Sequence, residues 1–224
     1  MEFLLKFKLS QHLYVKDPES SELGKTIVEN AIELIYELGF EQFTFKKLST
    51  KIHTTEATIY RYFTSKHRLL IYILNWYWSY LEFLSEMLIP ADKTASDKLR
   101  LILTILTHCQ NEEQQLMDYN LEHLHSIVIQ ESSKSYLVKE VDAINKEMAF
   151  NPLKSLCRRI SMIILEIQPG YPYARSLAST LLETAHDQQF FSEHLPSLTN
   201  NTSQQQHKKY VLDYLVQLAF SAIK

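Results

Sequence analysis

His108, Glu112, His123 and His125 are residue types that ligate transition metals, and the four-residue step from His108 to Glu112 puts that pair on one helix face. A predicted helix boundary separates the four, so their spacing specifies no coordination geometry and no metal site is expected. Cys109 and Cys157 have no cysteine or histidine beside them at the spacing of a zinc site or an activated thiol, and they form no disulfide framework. No glycine-rich loop is present to cradle a phosphate. Serine, histidine and aspartate all occur, as in any chain of this length, without an arrangement that makes a nucleophile. Catalysis is not expected, and neither is a cofactor.

The chemistry that the residues do favour is electrostatic. Between residues 42 and 68, the six bases Lys46, Lys47, Lys51, Arg61, Lys66 and Arg68 oppose one acid, Glu56. Six minus one leaves a local charge of +5 in a chain whose formal net charge is −3. That balance excludes a uniformly basic nucleic-acid binder but leaves a local patch suited to a polyanion.

The elements that must position this patch are helical. Three glycines in 224 residues, against roughly 16 at average usage of about 7%, disfavour any fold built on many tight turns. Ile27, Ala31, Leu34, Ile35 and Leu38 recur at three- and four-residue steps, which predicts a helix over 25–38 with Gly39 as its stop. Thr44 caps a short helix reaching about Ile52, Thr55 caps a second through Tyr62, and Ser65 caps a long one from Lys66 to Leu88 before Pro90. Residues 1–21 read as a partly helical arm. Further helices are expected over 96–110, 112–130, 133–149, 152–167, 173–190 and 205–223, punctuated at Asn151-Pro152 and Gln168-Pro169-Gly170. A strand over 160–167 would have no partner. The fold class is all-α. No apolar run approaches the roughly 20 residues of a membrane span, and the charged opening Met1–Lys6 is not a signal peptide. A cytoplasmic protein without membrane partners is expected.

The segment 25–70 resembles the DNA-binding domain of the TetR family of bacterial transcriptional regulators. The resemblance rests on Leu38-Gly39-Phe40, Thr44-Phe45, Leu48-Ser49, Ala57-Thr58-Ile59-Tyr60-Arg61-Tyr62-Phe63, Ser65-Lys66 and Leu69-Leu70. Two short helices joined by a tight turn place the second in the major groove while the first crosses the backbone. Thr54, Thr55, Glu56 and Thr58 are then the side chains at base edges, since threonine methyls suit thymine, while the Glu56 carboxylate either accepts from cytosine N4 or softens the attraction to phosphate. Ala57 and Ile59 are expected to look inward or serve close packing, and Phe63 to lie in the core. The resemblance assigns phosphate contacts to Tyr60, Tyr62 and Lys66, and Thr44, Lys46 and His67 are added to that set. His53 stands where the family usually has glycine, and Thr54 replaces a small apolar residue.

The resemblance further implies two domains. Residues 1–68 hold the arm and a three-helix DNA-binding domain with the helix-turn-helix. A long helix joins it to residues 69–224, a larger helical ligand-binding and dimerisation domain. A homodimer on double-stranded DNA is implied, with Leu177, Leu181, Tyr210, Tyr214 and Leu218 at its interface. Trp76, Tyr77, Tyr80, Phe83, His108, Met117 and Tyr119 are the candidates for lining a pocket for an apolar or aromatic small molecule. The function implied is a ligand-responsive repressor that binds a palindromic operator. The alternative is a small-molecule-binding or protein-interaction module on the same fold with weakened DNA binding.

Overall fold

The computed structural model describes residues 6–107, 119–201 and 206–223, and every regular element among them is helical. The chain divides into two compact units, the first within Met1–Tyr77 and Glu113–Asn151, the second within Trp78–Glu112 and Pro152–Lys224.

The first unit is built on α1 (Glu22–Gln42), α2 (Phe45–Lys51), α3 (Glu56–Tyr60) and the start of α4 (Lys66–Leu88), with α6 (Leu121–Glu131), α7 (Ser133–Tyr136) and α8 (Val141–Lys146). Ser21 caps α1 by accepting from the Gly24 N–H at 3.2 Å. Ile27, Val28, Ala31, Ile32, Leu34 and Ile35 form its buried stripe. At Gly39 the backbone leaves helical geometry (φ 74°, ψ 156°), and one further turn carries the chain to Gln42. A β-carbon at Gly39 would meet nothing within 4 Å, so the positive φ alone favours glycine there.

Gly24 answers to a different constraint. Its β-carbon would lie 2.3 Å from the Pro18 carbonyl oxygen, so only glycine lets the 3-10 turn Pro18–Ser20 seat on α1. The residues read as an arm are thus a folded part of this unit. Leu9 and Leu13 are buried, Val15 N–H donates to the Tyr62 carbonyl at 2.8 Å, and Ser10 Oγ donates to the Glu147 carbonyl at 2.8 Å.

One expected helix divides. The segment 133–149 forms α7 and α8, separated at Leu137 (φ −83°, ψ 52°), and the left-handed Met148 (φ 59°) follows. Ser135 Oγ donates to the Ser132 carbonyl at 2.7 Å, a local bond of the kind that competes with helix continuation. The helix expected over 112–130 is seen from Leu121, where Asn120 Oδ1 accepts from the N–H groups of Glu122 and His123. Its earlier part lies outside the described residues.

The second unit holds the rest of α4, α5 (Ala95–Leu106), α9 (Asn151–Ile167), α10 (Ala174–His194) and α11 (His207–Ala222). Leu156, Ile160, Ile163 and Ile164 are buried along α9, so the β-branched run is helical as expected. Val211, Leu215 and Ala219 form the buried stripe of α11, which packs on α10 and α5. Lys98 pairs with Glu166 at 3.4 Å, and the Arg100 guanidinium lies 4.6 Å from the Phe220 ring.

Candidate nucleic-acid interface

Helices α2 and α3 each start on a threonine side chain, and backbone bonds close the end of α2. Thr44 Oγ1 accepts from the Lys47 N–H at 3.2 Å and starts α2. At the other end the Thr54 N–H donates to the Ser49 carbonyl at 2.9 Å and the His53 N–H to the Thr50 carbonyl at 3.3 Å. With His53 at φ 52°, these two bonds make the paired helix stop in which a left-handed residue reverses the chain. Histidine occupies the position that glycine fills without strain.

Thr55 then caps α3. Its Oγ1 accepts from the Thr58 N–H at 3.2 Å, and the two threonine hydroxyls lie 2.9 Å apart. Phe45, Leu48, Ser49 and Ile59 are buried, and the Phe45 and Tyr60 rings meet edge-on at 5.0 Å. A tight turn between two short packed helices is the result. It is a helix-turn-helix.

The expected base readers are brought together at the start of α3. Thr55 and Glu56 are exposed, and Thr54 and Thr58 half-exposed. Thr44, Lys46 and Tyr60 are exposed as well, Tyr60 at 51%. Ala57, expected to pack inward, is exposed instead. Residues two apart on a helix point to nearly opposite sides, and Ile59 takes the inner one. Phe63 is in the core, as its type implies.

Three residues assigned to phosphate are committed elsewhere. Tyr62 is buried, and its hydroxyl bonds Ser21 Oγ at 2.8 Å and Lys16 Nζ at 3.2 Å. The Ser21 bond, helped by the bond and charge of Lys16, holds this phenol below its usual range against the opposing effect of burial. Lys66 Nζ donates to the carbonyls of Phe40, Glu41 and Phe43 at 3.0, 3.1 and 3.2 Å, using its three donors on the end of α1. His67 Nε2 lies 3.1 Å from the Lys134 carbonyl. Ser65 does cap α4, accepting from the Arg68 N–H at 3.2 Å.

The charge of the patch is reduced by the same bookkeeping. Arg68 pairs with Glu147, whose carboxyl that bond and charge hold below the usual range against burial. Lys51 stands 3.7 Å from Glu37, and Lys47 Nζ donates to the Gln42 carbonyl at 2.8 Å. Lys46 and Arg61 are exposed and make no ion pair among the described residues. Arg61 was not among the expected phosphate contacts. Its signal in the sequence was its place one residue beyond Tyr60, at the end of α3.

Away from this interface, every residue from Leu69 to Trp78 is buried, as a helix apolar on all sides requires. Within the first unit Trp76 and Tyr119 meet edge-on at 5.1 Å, and the Tyr77 hydroxyl lies 2.5 Å from His125 Nδ1. His123 instead stacks on Tyr36 at 3.8 Å and bonds Glu33 at 2.8 Å, so the two histidines face different partners. In the second unit Tyr80 is buried and Phe83 half-buried. His108, Cys109, Glu112 and Met117 lie outside the described residues, among which no group of three His, Cys, Asp or Glu side chains could hold a metal. Of the expected dimer residues, Leu177 and Leu181 are buried within one chain and offer no surface to a partner, because the α10 stripe faces its own unit. Tyr214 is exposed, and Tyr210 and Leu218 are half-exposed. No described helix is long and apolar enough to cross a membrane.

A family model for bacterial regulatory proteins of the tetR family matches residues 27–73. Among solved structures, a bacterial regulatory protein in the tetR family from Rhodococcus RHA1 is similar with a TM-score of 0.62 at 16% identity, over 91% of this chain and 97% of that one. AibR in complex with isovaleryl coenzyme A and operator DNA is similar at 0.58 and 15% identity, over 87% and 96%. FadR from Bacillus subtilis in complex with stearoyl-CoA follows at 0.54 and 19% identity, over 88% and 94%. No curated protein gives a significant match. At these identities the likeness to solved structures is one of fold. Together with the helix-turn-helix, the matched segment defines the class, a DNA-binding transcription regulator. The likeness to the tetR family lies in the N-terminal segment, residues 27–73.

Proposed function

We propose that this chain is a ligand-responsive repressor that binds a palindromic operator as a homodimer and is released from it by a small molecule. One observation carries the reading. The exposed start of α3 presents Thr55 and Glu56, flanked by half-exposed Thr54 and Thr58, and Lys46, Tyr60 and Arg61 of the same helix-turn-helix are exposed. Short polar side chains at a helix start reach base edges, while a lysine, a tyrosine and an arginine around them hold phosphates. Thr44 joins that outer set. Residues 1–68 act as the reading head, and residues 69–224 sense the ligand and pair the subunits.

Pairing uses the outward side of α10 and α11, with Tyr210, Tyr214 and Leu218. A two-fold axis there sets two α3 helices on half-sites about 34–36 Å apart. The ligand carries an apolar chain. The aromatic content of the larger domain supports this, as do the acyl-CoA complexes of two proteins of the same fold, AibR and FadR.

The test is binding of the purified protein to its own upstream DNA across a salt series, with a scrambled duplex beside it. Sequence-selective binding whose log K falls linearly with log salt supports the reading. Selection from a random duplex library covers an operator that lies elsewhere. An empty selection supports the second reading, a binding module with weakened DNA function, which the exposed Glu56 carboxylate at the reading end favours.

A further inference from the structure

The buried face of α10 changes character along its length. Ala174, Leu177, Ala178, Leu181, Leu182 and Ala185 make its first half apolar. His186, Gln189 and Ser192 continue the same face, and they are 4%, 5% and 3% exposed. Steps of three residues keep them on one side of the helix over about 9 Å of its axis.

The other buried polar side chains of this unit, Ser85, Thr107 and Ser161, are satisfied inside their own helices. They donate to the carbonyls of Glu82, Leu103 and Arg158 at 2.6, 3.0 and 2.7 Å, and Gln189 Nε2 likewise donates to the Ala185 carbonyl at 2.9 Å. Among the described residues His186 Nδ1 and Ser192 Oγ have no hydrogen-bond partner although both atoms are buried, and Trp78 Nε1 and Arg159 Nε of the same unit are in the same condition. Unpaired buried polar atoms are costly, and a fold keeps them where something else supplies the partner.

We propose that His186, Gln189 and Ser192 form the head-group end of an internal binding site for an uncharged amphiphile, a molecule with an apolar chain and a neutral ester or amide carbonyl. The inference rests on the ligand-responsive reading above and gives its ligand a chemical class. The apolar first half of the α10 face suits the chain. Serine and a neutral imidazole each offer a donor and an acceptor to a carbonyl group and its neighbours. Burial pushes the His186 imidazole down to about 4, so it is neutral at physiological pH. Among the described residues of this unit no carboxylate, lysine or arginine is buried, and the half-buried Arg159, whose Nε lacks a partner, is engaged by the Ser85 carbonyl and Glu86. A charged head group would stand there unpaired, which is why the site selects a neutral one.

The experiment compares three probes that share a chain and differ in head group: methyl octanoate, octanoate and octyltrimethylammonium. Thermal unfolding is followed in the full chain, in His186→Leu and in Ser192→Ala. Methyl octanoate at about a hundredfold excess over its Kd is expected to raise Tm by roughly 5–10 °C, and the two ions are not. Either substitution abolishes that rise without lowering the ligand-free Tm, since each removes an unpaired polar atom. The inference is overturned by an absent ester response, by an equal response to octanoate, by a response that survives both substitutions, or by a ligand-free Tm that falls in Ser192→Ala. Operator binding without any ester response sinks this inference alone. An ester response without operator binding sinks the regulator reading alone.

Discussion

Lys66 Nζ donates to the Phe40 carbonyl at 3.0 Å and stands 4.7 Å from the centre of the Phe40 ring. With its bonds to Glu41 and Phe43, this single ammonium closes the carbonyl end of α1 at the point where Gly39 has broken the helix. A cation at a helix C-terminus interacts favourably with both the open carbonyls and the dipole. Lys66→Met should therefore lower unfolding stability by about 1–3 kcal/mol, read from the urea midpoint. The slope of log operator affinity against log salt should stay as it is. A slope reduced by about one would return Lys66 to the phosphates.

Lys46 and Arg61 should behave in the opposite way. Both are exposed cations without an ion pair among the described residues. Lys46→Ala and Arg61→Ala should each reduce the salt slope by about 0.9 and weaken specific and scrambled duplexes alike. Stability should change by less than about 0.5 kcal/mol. Lys51→Ala, whose ammonium already faces Glu37 at 3.7 Å, should move the slope less than either.

The turn offers a prediction of opposite sign. His53 sits at φ 52°, where a β-carbon is strained and glycine is not. His53→Gly should stabilise the chain by about 0.5–1 kcal/mol, after allowing for the extra freedom glycine gives the unfolded state. His53→Val, β-branched at the same φ, should destabilise it. Equal urea midpoints for the three proteins would place this residue outside the left-handed region.

The caps explain why so much of the reading head was legible. Thr44, Thr55 and Ser65 act on backbone N–H groups three residues away, so the sequence carries both partners of each bond. The partners that Lys66 and Tyr62 meet in the fold are 23 and 41 residues distant, at Phe43 and Ser21. Local spacing says that such a side chain has a polar end, not what that end meets. The seating of Pro18 on Gly24 was hidden for the same reason. On α10, Leu177 and Leu181, expected at a dimer interface, lie on the buried face with Leu182 and Ala185. Only tertiary packing reveals that His186 and Ser192 prolong it.

His186 makes that burial measurable through pH. Desolvation lowers its folded-state value to about 4 from the ordinary 6.5. Between these values the unfolded chain binds the proton and the folded one does not, so acid favours unfolding there. Stability should be complete above about pH 6.5 and lost progressively as pH falls towards 4. The difference of about 2.5 pH units corresponds to about 3 kcal/mol. His186→Leu removes this contribution while leaving every other titrating group in place. Subtracting its unfolding free energy from that of the parent chain, across pH 7.5 to 4.5 by urea titration, isolates the histidine. The parent should lose ground to the variant steadily below about pH 6.5. Two parallel curves would mean that His186 reaches solvent or an acid in the folded state, and the neutral polar line on α10 would go with it.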